Sequence, residues 1–284
     1  MMKRREFLIS SAVAAACGRA WGQRPDQAKL DRIAVMSLCF APLLKGTARA
    51  GNPKATLDLM DLGGLVAERY GIHRVEFQQV DFPSTDSVYL QEFHGRMQKA
   101  AAYTSQINLD FANINISSLD PVIRLETIEL TKRWIDHAAA LECPRVMVNH
   151  GGLAQEARQT AIEALKTINA YGKARNVSVT MDPGNAPLDV VVEVVKAAGI
   201  SVCPDCDAFP DKQSRAAALP VLYGMTAGSS HVTHLPDKFD TAEAIRISKE
   251  AGYKGVFSIV TSSRNSPDPY APVQTILDIV LANM

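Results

Sequence analysis

Apolar, β-rich runs alternate with stretches of helical periodicity along most of the chain, and the alternation predicts eight strands and eight helices. The expected strands are Ile33–Phe40, Arg74–Gln78, Gln106–Phe111, Arg145–Asn149, Val177–Met181, Ile200–Pro204, Val221–Met225 (with an extension to His231 left open) and Gly255–Val260. The expected helices are Leu57–Tyr70, Val88–Ser105, Pro121–Leu141, Gln155–Arg175, Leu188–Ala198, a shorter one over 213–220, Thr241–Ala251 and Pro269–Ala282. Asp120-Pro121 and Asp268-Pro269 each place an acidic cap before a proline at the first helical position, where the missing N–H costs nothing. Gly71, Gly199 and Gly252 stand just past helices, where a left-handed cap is wanted. Helix, glycine, then an apolar strand is the junction of a parallel α/β protein, and eight right-handed crossovers predict a (β/α)8 TIM barrel. A doubly wound open sheet is the second choice, but it calls for a glycine-rich loop after the first strand, and Met36-Ser37-Leu38-Cys39-Phe40 has none.

Composition narrows the function classes. The chain has 284 residues, 47% hydrophobic and 21% charged, with 30 basic residues against 30 acidic. This excludes disorder and coiled coil, and the balance gives no basic footprint for nucleic acid. No run reaches the roughly 18 uncharged apolar residues of a membrane-spanning helix. Neutrality overall conceals a basic start. Residues 1–22 carry Lys3, Arg4, Arg5 and Arg19 against Glu6, followed by an uncharged stretch from Phe7 to Cys17. The pattern predicts an export signal, and Arg4-Arg5-Glu6-Phe7-Leu8 resembles the twin-arginine type, which places the protein in the periplasm or outside the cell. Lipid attachment at Cys17 is the alternative. The expected organisation is a signal over 1–22 and a single barrel over 23–284, with a homo-oligomer possible. Cys203-Pro204-Asp205-Cys206 has redox or zinc spacing, but no second CxxC or histidine pair completes a zinc set, so the spacing reads as coincidence.

Active sites of such barrels lie at the C-terminal ends of the strands. Those ends hold Glu76 and Gln78, Asn108 and Asp110, Asn149 and His150, Asp182, Asp205 and Asp207, His231 and His234. Hard oxygen donors with a histidine suit Mg2+ or Mn2+. Glu76, Asn108, His150 and His234 are candidate substrate contacts.

SQINLDF (105–111), ELTKRWIDHAAALECPRVMVNHG (129–151), AIEALKTINAYGKARNVSVT (161–180), SHV (230–232), ISKEAGYKGVFSI from 247 and PDPYAPVQTILD ending at 278 resemble exported proteins of the sugar phosphate isomerase/epimerase family. The resemblance implies a xylose isomerase-like TIM barrel with one divalent metal, held by a Glu after strand five, an Asp after strand six, a His after strand seven and a Glu after strand eight. Asp182 stands at the first of these positions, where it is also the candidate base, Asp205 at the second and His231 at the third. The fourth departs, because Phe257-Ser258-Ile259-Val260 puts Val260 where the family has its glutamate. Family epimerases use acids after strands five and eight as two bases, and loss of a general base typically costs about 10²- to 10⁴-fold. The expectation is therefore a metal-assisted enzyme acting on a keto-sugar or related carbohydrate. The alternative is a catalytically impaired sugar-binding or partner protein on the same barrel.

Overall fold

The computed structural model describes residues 26–46, 55–209, 211–261 and 268–284; the export signal and the Cys17 alternative lie outside them. Eight parallel strands form one sheet: β1 (Ile33–Met36), β2 (Arg74–Gln78), β3 (Tyr103–Leu109), β4 (Arg145–Val148), β5 (Ser178–Met181), β6 (Ser201–Val202), β7 (Ser229–Val232) and β8 (Val256–Ile259). Their order is β6-β5-β4-β3-β2-β1-β8-β7. The two ends of that series meet. Isolated parallel bridges join Val202 to Thr226 and Asp205 to His231, and the His231 amide donates to the Pro204 carbonyl at 2.8 Å. The strands are almost wholly buried because helices cover the sheet, as parallel sheets require.

The helices are a short α1 (Gln27–Leu30), α2 (Leu62–Tyr70), α3 (Ser87–Lys99), α4 (Pro121–Ala140), α5 (Gln155–Lys173), α6 (Leu188–Ala198), α7 (Lys212–Tyr223), α8 (Thr241–Glu250) and α9 (Tyr270–Asn283). The cap signals have their expected physical effects. Asp120 accepts the Val122 amide at 2.8 Å with Pro121 leading α4. Asp268 accepts the Tyr270 amide at 2.8 Å, one residue ahead of the expected helix start. Gly71 and Gly199 close α2 and α6 at φ of 68° and 66°.

Two expectations are corrected. Val221–Met225 is not the seventh strand: residues 221–223 finish α7, and the strand is Ser229–Val232. Pro220 reads as a helix stop, but α7 absorbs it, and the spacing of Leu219, Leu222 and Tyr223 buries one helical face. Val88–Ser105 is also divided. The helix ends at Lys99, left-handed Ala101 (φ 50°) turns the chain, and Tyr103 already opens β3. There the β-branched and aromatic content of Tyr103-Thr104 prevails over helical periodicity.

Candidate active site

The C-terminal ends of β2, β3, β5, β6 and β7 bring the site together. The β2–β3 ladder slips between Val75 and Glu76, so that Gln106 stands opposite Glu76. Gln106 Nε2 donates to Glu76 Oε1 at 3.0 Å. His231, on β7, lies 2.9 Å from the same oxygen through Nε2, and its Nδ1 is 3.7 Å from Asp205 Oδ2. Glu76 is completely buried and His231 is 5% exposed. Both nitrogens of His231 therefore face carboxylates.

The electrostatics follow from this enclosure. Burial disfavours the imidazolium of His231, but Cys203, Glu76 and Asp205 outweigh it and hold the pKa well above the ordinary histidine value. Burial raises the Cys203 thiol, and Glu76 and Asp205 are the groups that touch the two ring nitrogens. Burial and the neighbouring Asp205 raise the Asp182 carboxyl, although the Gly184 amide, which donates to Asp182 Oδ1 at 2.9 Å, pulls the other way. Asp207 is pushed up to about 6 by burial and Asp205. The Asp205 carboxyl is lowered instead. Burial opposes this, but the His231 contact and the Asp207 amide prevail.

The remaining candidates lie at varying distances from this centre. His150 is buried, with Nδ1 accepting the Gly152 amide at 2.9 Å and Nε2 lying 3.4 Å from the Pro183 carbonyl. It is near enough to bear on the Asp182 carboxyl, so it borders the group. Asn108 is half-buried, in register with Gln78 and Met147. His234 turns instead to Thr241 at the start of α8, its Nδ1 3.1 Å from Oγ1. Val260 directly follows β8, its amide donating to the Val232 carbonyl at 2.9 Å.

Gln106 escaped the sequence reading, which weighed Cys203 only as part of a coincidental CxxC spacing. Gln106 shares a strand face with Asn108, two residues on, and that parity was the available signal. None of the four described cysteines forms a disulfide, and all four are buried. Cys203 receives a contact from Gln106 Nε2 at 3.7 Å, whereas the Thr233 amide donates to Cys206 Sγ at 3.3 Å. The two thiols serve different neighbourhoods.

A family model described as xylose isomerase-like TIM barrel matches residues 65–278. The chain belongs to that family. No curated protein matches it in sequence. Among solved xylose isomerase-like barrels, it is similar to D-psicose 3-epimerase with D-tagatose from Clostridium cellulolyticum H10, at TM-score 0.71 and 13% identity over 89% of this chain and 99% of the other. It is similar to N-terminal His-tagged D-allulose 3-epimerase from Methylomonas sp. in complex with D-allulose, at TM-score 0.69 and 15% identity over 89% and 97%. A xylose isomerase-like TIM barrel protein from Mycobacterium smegmatis in complex with magnesium gives 0.64 and 16% over 90% and 98%. At these identities the likeness is one of fold.

A xylose isomerase-like barrel raises the question of a divalent metal. The donor chemistry here fits a hard cation. An imidazole whose far nitrogen is fixed by a carboxylate is the usual arrangement for a ligating histidine, and Glu76 fixes Nε2 while Nδ1 faces Asp205. Asp182 is near enough for its carboxyl to respond to both. As placed, no three His, Cys, Asp or Glu side chains among the described residues converge on one point to hold a metal. Asp205 and His231 converge as a pair.

Proposed function

We propose that the protein is a sugar isomerase/epimerase-like enzyme that moves a proton at a carbon next to the carbonyl of a keto-sugar or related carbohydrate. The observation carrying this reading is the raised pKa of Asp182, a half-buried carboxyl with Asp205 beside it at the C-terminal end of a barrel. A base works best when its pKa lies near the working pH, and a carboxyl raised by burial moves in that direction. In this reading Asp182 takes the proton from the carbon. Glu76 holds His231 in place beside Asp205. His150 borders Asp182 from β4 and helps shut out water.

Asp205 and His231, the pair that converges, would hold a divalent cation, Mn2+ or Mg2+, which would supply Lewis-acid polarisation of the carbonyl. Val260 stands where the resemblance to the family expects a second carboxylate, which favours a one-base isomerisation over a two-base epimerisation. It also supports the second reading, a sugar-binding protein that has lost its chemistry. An exported location, drawn from residues 1–22, goes with either.

Proton–deuteron exchange separates them. Keto-sugars incubated with the protein and Mn2+ in D2O should incorporate deuterium at the carbon beside the carbonyl, as read by NMR. Asp182→Asn should slow this by about 10²- to 10⁴-fold. Sugar binding without exchange would select the second reading.

A further inference from the structure

The β6–α7 and β7–α8 connections enclose a second polar feature on the same end of the barrel. Arg215, near the start of α7, is 5% exposed. Its Nη2 donates to the Phe209 carbonyl at 2.5 Å, and its guanidinium carbon lies 4.6 Å from the centre of the Phe239 ring. Its Nε is buried and meets no hydrogen-bond acceptor. A guanidinium cannot deprotonate to relieve this. Leaving a buried donor unmade is costly, and more so for a charged group.

Arg215 borders a cavity of about 110 Å3 between α7 and α8, along with Lys212, Lys238, Asp240 and Glu243. The two acids have cations of their own: Glu243 lies 3.1 Å from Lys212 Nζ, and Asp240 lies 3.5 Å from Arg246. Among the described residues, Arg215 and Lys238 are the lining cations left without an ion pair. From the rim side, Lys238 also bears on Asp207, which ties the cavity to the neighbourhood of Asp205. About 10–15 Å3 of such space admits a water, so there is room for a few waters or one small oxyanion.

We propose that this cleft is an oxyanion site that takes a phosphate or carboxylate group between the Arg215 Nε–H and the Lys238 ammonium. An oxyanion answers the open donor, and Phe239 fixes the guanidinium plane so that little ordering remains when the anion arrives. The group arrives either as a free anion or as the charged end of a sugar whose other end reaches Asp205. The second case rests on the proposed function; the first does not.

Calorimetric titration of the full-length protein with inorganic phosphate and with acetate tests the site without any turnover. Saturable binding of at least one of them is expected at up to about 10 mM, in the affinity range of a single small anion. Lys238→Ala should weaken it about tenfold, as should Arg215→Lys, while Lys249→Ala on the far part of α8 leaves it unchanged. Absence of saturable binding of either anion, or binding undiminished in Lys238→Ala, overturns the proposal whether or not the Arg215 variant folds. A second arm compares a neutral keto-sugar with its phosphate ester and its carboxylate. If Lys238→Ala weakens the charged sugars and spares the neutral one, the cleft holds the substrate's charged end. If it weakens inorganic phosphate or acetate alone, the site serves a free anion. Failure of the Asp182 exchange experiment would leave the anion titration intact.

Discussion

Glu76 shows most directly how one residue's setting decides its role. Strand parity places it inward beside Gln78, and the sequence reading makes it a substrate contact; in three dimensions it is sealed beneath the rim, bonded to Gln106 and His231. The parity was legible, but the partner was not, because His231 is 155 positions away along the chain. Removing one member of a buried charged pair leaves the other uncompensated. Glu76→Gln keeps an acceptor but not the charge. It should lower the His231 pKa and destabilise the fold by about 1–3 kcal/mol. The imidazole carbon-bound proton shifts of His231 against pH check this, and an unchanged titration would show that Glu76 is not its counter-charge. The native pKa of His231 lies above its unfolded value near 6.5, so its contribution is complete below about pH 6.5 and fades as pH rises through the native pKa. Asp207 shifts stability with pH in the same direction, but because its neutral form is the one the fold favours. Its carboxyl is raised from 3.8 to about 6, so the folded state loses relative stability as pH climbs through that window and the group ionises beside Asp205. Asp207→Asn should therefore raise Tm at pH 8 and leave it nearly unchanged at pH 3.5, as measured by thermal melts at both.

At the scale of elements, caps and periodicity were legible where local chemistry decides, as in α6 (Leu188–Ala198) and β2 (Arg74–Gln78), whose limits match the expectation. They failed at α7, where Pro220 looks like an end and tertiary burial of Leu219 and Leu222 carries the helix on. Which helical glycines are needed was also invisible in sequence. A Cβ on Gly172 of α5 would come within 2.6 Å of the Val177 carbonyl and 3.1 Å of Val179. On Gly95 of α3 it would meet nothing within 4 Å. The same substitution should therefore act with opposite sign: Gly172→Ala costs about 1–3 kcal/mol by overpacking, while Gly95→Ala gains up to about 1 kcal/mol of helix propensity. Urea denaturation of both variants gives the comparison.

For the molecule as a whole, the repeat of strand and helix was enough to read the barrel, since each βα unit states its own hydrophobic pattern. It could not show how the ring meets itself. Most adjacent strands share ladders of three or more residue pairs, but β6 pairs with β5 at two positions, and β6 meets β7 through two isolated bridges. Backbone amides flanking that seam, such as those of Val202, Cys203 and His231, should exchange with deuterium faster than those of Val146–Val148 in β4. Equal protection would show a seam as firm as the rest. One of the two bridges joins Asp205 to His231, the pair at the centre of the candidate site. The clasp of the ring and its reactive machinery are thus one piece of chain. Whatever draws those two side chains together also fastens the cylinder, so occupancy of the site and mechanical integrity of the whole should rise and fall in step, by the free energy with which the occupant prefers the shut ring.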